Sequence, residues 1–115
     1  MITKEERIKS EEHLTYIRSL NCTAYSSICN GGIQAHHLLS PWIGSRGMGM
    51  KADDRNVIPL CAYHHGILHT QYGSEKSFFA VHARGPNFAK NVAQSLWTDS
   101  PSKEREKERS LNYTS

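Results

Sequence analysis

Gln34-Ala35-His36-His37, followed by Asn56 and then by Cys61-Ala62-Tyr63-His64-His65, with His69 four positions further on, gathers five of the seven histidines into two short clusters. Buried imidazoles need polar partners, and neutral imidazole is the most frequent protein ligand for metals. Clusters of this kind therefore point to metal chemistry before they point to packing. If 63–71 is helical, His65 and His69 stand one above the other on the same face. Cys61 and His64 are separated by two residues, the spacing of a zinc knuckle entering a helix. The adjacent His64 and His65 diverge by roughly 100° on a helix, so one can serve a structural ion while the other serves a second site.

Cys22 and Cys29 are the remaining cysteines, and with Cys61 and His64 they would complete a Cys3His tetrahedron around zinc. Their six-residue spacer is wider than the two to four residues usual between paired ligands, and the competing reading is two buried or free thiols. An odd cysteine count, no signal peptide and no long apolar run argue against a disulfide framework and for a soluble protein in a reducing compartment, the cytoplasm of a bacterium or a phage-infected host.

At 115 residues and 37% hydrophobic content, the chain has room for one domain with a thin core. From residue 98 onward it runs Ser100-Pro101-Ser102 and then alternates Lys103, Glu104, Arg105, Glu106, Lys107, Glu108 and Arg109, with almost nothing apolar to bury. The expected organisation is a domain over 1–97 with its core in 22–71, and a charged, solvated tail over 98–115. A structural zinc contributes on the order of 10 kcal/mol to the folding of a small domain, enough to compensate for a thin core. The tail carries four basic and four acidic residues, so the net charge of +3 lies in the folded part, which agrees with nucleic-acid binding.

Ser10-Glu11-Glu12 opens a helix whose apolar positions Leu14, Ile17 and Leu20 recur at helical spacing. Residues 33–39 read as a strand carrying the paired histidines. Segment 40–55, with Pro41, three glycines and Asp53-Asp54, reads as a long loop. A second strand over 56–60 pairs antiparallel with the first, with Pro59 marking its end or a sheet edge. The helix over 63–71 follows. Gly73-Ser74-Glu75 opens another, holding Phe78, Phe79 and Val81, and Pro86 starts a last one with Phe88, Val92, Ala93, Leu96 and Trp97. Phe78, Phe79, Phe88, Leu96 and Trp97 read as core by their spacing.

Strand, long loop, strand and helix, with paired histidines on the first strand, an asparagine before the second and histidines on the helix, resembles the HNH endonuclease superfamily. Ala35-His36-His37-Leu38, Gly47-Met48-Gly49-Met50-Lys51 and Asn56-Val57-Ile58-Pro59-Leu60-Cys61, then His64-His65 and His69, look especially like the small HNH proteins of phages and prophages. The resemblance covers roughly 14–97 and is strongest over 35–69. It implies an α+β fold built on a ββα-metal finger with flanking helices. It implies a DNA endonuclease in which His36, His65 and His69 hold one divalent cation, whether magnesium, manganese, nickel or zinc. His37 would be the general base for the attacking water, and Asn56 would brace the loop that orients it.

Other assignments compete with these. His36 and His37 could exchange roles or both bind metal, and His37 can face the site only at a kink or strand end, because neighbours in a strand point to opposite faces. Asp53 and Asp54 read as turn formers before they read as ligands. Arg46, Lys51 and Arg55 could contact phosphates or belong to a solvated loop. His13 and His82 have no motif context. The alternative to a nuclease is a zinc-stabilised nucleic-acid-binding module without turnover; DNA is the partner in the leading reading, and no membrane is.

Overall fold

Ser10 starts the first helix by capping it. In the computed structural model, which describes residues 7–46 and 49–102, its Oγ accepts the His13 N–H at 3.1 Å at the head of α1 (Glu11–Arg18). Glu11 and Glu12 in the first turn and Arg18 in the last suit the helix dipole. The helix buries His13 and Ile17 and leaves Leu14 half-buried, so its inward face is turned toward His13; Leu20, expected on the same helical row, lies half-buried beyond the end of the helix.

The next two elements form the two-stranded antiparallel sheet anticipated from sequence. Strand β1 (Ile33–His37) pairs with β2 (Val57–Cys61), placing His36 opposite Ile58 and His37 opposite Val57. In a two-stranded sheet every strand is an edge, so Pro59 sits within β2, opposite Ala35, without removing a ladder bond that a third strand would need. All five residues of β2 are buried, whereas β1 is only partly so. Helix α1 lies against both strands, and the last helix packs on β2. The described parts of 40–55 contain no helix or strand, in agreement with the loop expectation.

Helix α2 (Ala62–Ile67) leaves β2 without a linker, capped by the Cys61 sulfur. It continues as a π-helical turn (Leu68–Tyr72) that stops at Gly73, whose φ of 73° favours glycine and whose N–H reaches back to the Leu68 carbonyl at 2.7 Å. Helix α3 (Glu75–Val81) is capped by Ser74, and α4 (Phe88–Thr98) follows Asn87. Leu38, Ile58, Leu60, Leu68, Phe78 and Phe79 form the centre of the core, with Ala89 and Ala93 of α4 closing it. Trp97 is buried as expected, while Phe88 and Leu96 are half-buried at its margin.

The boundary of the expected tail requires correction. Ser100 and Ser102 are buried: Ser100 Oγ lies 2.7 Å from His13 Nδ1, and Ser102 Oγ meets Ser10 Oγ. The His13 imidazole and the hydroxyl of the α1 cap, Ser10, hold Ser100 and Ser102 on the domain through polar contacts, which is why composition does not reveal it. The remainder of that segment, 103–115, lies outside the described residues. Among the described residues no helix is long and apolar enough to cross a membrane.

Candidate functional site

Two clusters of potential metal ligands flank the start of α2. In the first, Cys22, Cys29, Cys61 and His64 come together with their ligand atoms within 4.8 Å of one another. His64 Nδ1 stands 3.6, 3.5 and 3.2 Å from the sulfurs of Cys22, Cys29 and Cys61. With zinc–sulfur and zinc–nitrogen bonds of ordinary length at tetrahedral angles, that separation should be about 3.6 Å. The residues therefore fit a Cys3His ion such as zinc, and the wide spacer between Cys22 and Cys29 is no obstacle, because it is a folded turn. Tyr25 N–H bonds the Cys22 carbonyl and Cys29 N–H the Ser26 carbonyl. Next to it, Gly31 sits at φ +84°, and a Cβ there would lie 2.6 Å from the Ala62 Cβ. Only glycine lets the Asn30-Gly31-Gly32 turn meet the head of α2, where Asn30 and Gly32 carbonyls accept the Tyr63 and Ala62 N–H groups.

The thiols are not equivalent. Burial pushes Cys22 up to about 11, whereas at Cys61 burial is outweighed by the His64 and Asn30 backbone groups and the neighbouring thiols, which bring it below the ordinary thiol value. Burial and the nearby His82 lower His64, keeping it neutral and able to ligate. Its Nε2 is buried with no hydrogen-bond partner, and the ring packs against Phe78 and His82.

In the second cluster, His36 from the end of β1, His65 from α2 and His69 from the π-helical turn stand in a near-equilateral triangle, with ring centroids 5.0, 5.2 and 4.9 Å apart. Burial, followed by the charges of His36, His69 and Lys51, pushes His65 down to about 4, and His69 is lowered chiefly by burial. Neutral rings have lone pairs to offer. The hydrogen bonds indicate which nitrogen offers them. His36 Nε2 lies 2.8 Å from Glu75 Oε2, and that carboxylate also accepts the Leu39 and Ser40 N–H groups at 2.8 and 3.2 Å. Burial opposes ionisation of Glu75, but these donors hold it below the ordinary carboxylate value. An ionised carboxylate only accepts, so a proton sits on His36 Nε2, and Nδ1, buried and without a hydrogen-bond partner, is the nitrogen left to ligate. His65 Nδ1 meets Gln34 Oε1 at 2.6 Å, which leaves its Nε2 free in the same way. Carboxylate or amide oxygens behind ligand imidazoles are the usual means of fixing tautomer and raising basicity at a metal.

A cleft of about 220 Å3 opens over this triangle, lined by His36, His37, Arg46, Lys51, His65 and His69 among others. His37 is the last residue of β1, which meets the requirement of a strand end for neighbouring histidines to reach one cleft. Its Nε2 lies 2.8 Å from Asp54 Oδ1. Asn56 is fully buried: Oδ1 accepts the Trp42 and Ile43 N–H groups at 2.8 and 3.4 Å, and Nδ2 donates to the Ile43 carbonyl at 3.1 Å. These bonds tie it to the loop after β1 at Trp42 and Ile43. Arg46 and Lys51 reach the cleft and Arg55 does not: its guanidinium is turned onto Asp53, which also takes the Arg55 backbone N–H at 3.0 Å. Asp53 is thus the turn former that sequence suggests, while Asp54 has a different occupation.

Residues 1–92 match the family described as a protein of unknown function, DUF968. The chain belongs to the DUF968 family. It is also similar to the uncharacterized protein YdfU of Escherichia coli (strain K12), 32% identical over an 81-residue alignment that covers 64% of this chain and 22% of that relative. The chain therefore matches only a small part of the relative's length. No solved structure matches it.

In this DUF968 chain the sequence reading missed Glu75, Gln34, Asp54 and His13. Glu75 follows a capping serine, where an acidic residue is ordinary, and its partner His36 is 39 residues away. No local signal distinguishes it.

Proposed function

We propose that the chain is a metal-dependent endonuclease that hydrolyses DNA phosphodiester bonds, built as a ββα-metal unit of HNH type. The observation that carries this reading is the pair of fixed tautomers. Glu75 takes the His36 Nε2–H and Gln34 takes the His65 Nδ1–H, so His36 Nδ1 and His65 Nε2 are the nitrogens left to ligate in the cluster they form with His69. What sets His36 apart from the other buried histidines is that its orphaned nitrogen belongs to a ring grouped with two further imidazoles beside a cleft.

A divalent cation held by the three imidazoles would neutralise charge on the phosphate and on the departing 3′ oxygen. The chain's own groups do the rest. His37, on the rim of the same cleft, accepts the proton of the attacking water. Asn56 pins the loop at 42–43 and so keeps the exit of β1, and with it His37, in place. Arg46 and Lys51 offer cations to the phosphates on either side of the scissile bond. The net charge of +3 supports a polyanionic substrate.

A second reading, a zinc-stabilised nucleic-acid-binding module without turnover, draws on the Cys3His cluster, which needs no catalysis to justify it. One assay separates the two. Purified protein is stripped of loosely held ions, mixed with supercoiled plasmid, and supplied separately with magnesium, manganese, nickel or zinc. The nuclease reading expects nicked or linear DNA with at least one metal. It also expects a loss of at least 10²-fold in the His37→Ala variant, which should still take up the ion. Retarded but uncut plasmid with every metal would leave the binding module; loss of bound metal in His37→Ala would reverse the roles of His36 and His37.

A further inference from the structure

We propose that Asp54 is a positioning residue for His37: its carboxylate fixes the imidazole as the Nε2–H tautomer, so that Nδ1 is the nitrogen available to take a proton. The proposal rests on the nuclease reading only for what that lone pair does.

The geometry leaves Asp54 little freedom. Oδ1 lies 2.8 Å from His37 Nε2, Oδ2 accepts the Ser10 N–H at 2.8 Å, and the Asp54 N–H bonds the Ile8 carbonyl at 3.0 Å. Ser10 is itself held, since its Oγ caps α1 and meets Ser102 Oγ. The carboxylate is thus clamped between the entry to α1 and the end of β1. The neighbouring Asp53 is committed to Arg55 and cannot substitute for it. Although burial opposes it, the bonds from His37 and Ser10 keep Asp54 below the ordinary carboxylate value, so it is ionised at neutral pH and can only accept. The N–H facing that carboxylate is therefore on His37 Nε2, and in the neutral imidazole Nδ1 is the nitrogen with the lone pair.

In the hydrolytic step, an O–H bond of the attacking water breaks and its proton passes to His37 Nδ1. The electron pair left on that oxygen forms the new P–O bond, the bond from phosphorus to the 3′ oxygen breaks, and the leaving oxygen takes a proton from solvent. The imidazolium formed at His37 lies against the Asp54 carboxylate, which stabilises its charge without taking the proton.

Asp54→Asn makes a sharp test. Two donors, the Ser10 N–H and the His37 Nε2–H, then face a side chain with one acceptor oxygen. The backbone N–H cannot change, so the amide turns its oxygen to Ser10 and its NH2 to His37, and His37 must become the Nδ1–H tautomer. Long-range proton–nitrogen correlation spectra of zinc-loaded, 15N-histidine-labelled protein report this directly. We expect Nε2–H at His37 in the wild type and Nδ1–H in Asp54→Asn. Plasmid cleavage should fall by about 10²- to 10⁴-fold in kcat with KM and bound metal nearly unchanged. An Nδ1–H tautomer in the wild type, which requires no variant to fold, would overturn the proposal; so would an unchanged tautomer in Asp54→Asn. A tautomer that switches as expected in a protein that cuts no DNA supports the role of Asp54 while removing the nuclease reading.

Discussion

Glu75 is the residue on which the three-histidine cluster depends most, although it touches no other part of it than His36. It is 5% exposed and receives one imidazole and two backbone donors, so truncating it strands two N–H groups at the exit of β1 and releases the His36 ring. Glu75→Ala is expected to weaken nickel or zinc binding at the triangle by about 10- to 100-fold and to cost about 1–3 kcal/mol of stability. Calorimetric titration of metal, beside urea unfolding, measures both. An unaltered affinity would mean that His36 ligates without help from its carboxylate, or does not ligate at all. His65→Ala and His69→Ala belong to the same scale. Each should lower metal binding at the triangle while leaving the thermal midpoint within a few degrees of the parent, because both side chains lie toward the surface and the Cys3His cluster is separate.

At the scale of elements, the segment from Cys22 to the head of α2 forms one mechanical unit. The turn at Gly31 lies against Ala62, the Cys61 sulfur caps α2, and α2 in turn carries His64 to one cluster and His65 to the other. An ion at the sulfurs would therefore hold the helix that presents the second cluster. Cys61→Ser is expected to unfold the domain or leave it folded only weakly, since a structural zinc contributes on the order of 10 kcal/mol and the core is small. Circular dichroism and elemental analysis of purified protein give the answer, and a folded, zinc-free wild type would remove the Cys3His site while leaving the second cluster intact. Gly31→Ala should act in the same direction, through the 2.6 Å approach to Ala62 and the positive φ, with a cost of about 1–3 kcal/mol.

For the whole molecule, the two ends of the described chain close on one another across His13. This imidazole is fully buried against Trp97, bonded to Ser100, and pushed down by burial to about 4, with Asp54 pulling weakly the other way. In the unfolded chain His13 titrates near 6.5, so between about 6.5 and 4 the unfolded state holds a proton that the folded state excludes, and stability falls as pH falls through that window. From pH 7 to pH 5 this amounts to roughly 1–2 kcal/mol. His64, His65 and His69 are lowered too and add to the same trend in metal-free protein. Replacement of His13 by Phe isolates its share: urea midpoints at pH 7 and pH 5 should lie closer together in the variant than in the parent. Equal acid losses in the two proteins would place the sensitivity elsewhere.

Local spacing by itself determined the pairs Cys61 with His64 and His65 with His69, together with the two strands and the helices, because helical and strand periodicities place neighbours in sequence on known faces. The need for a strand end at His37 was legible for the same reason. Only the tertiary structure decided that Cys22 and Cys29 close on Cys61, that Arg55 is committed to Asp53, and that 98–102 packs on α1. It alone brought Glu75 behind His36, Asp54 behind His37 and Ser100 onto His13, across 39, 17 and 87 residues. An acidic residue beside a helix cap or in a loop turn has sufficient local reason to be there. Its long-range partner is fixed by how β1, α1 and α3 pack, which no periodicity in the chain encodes.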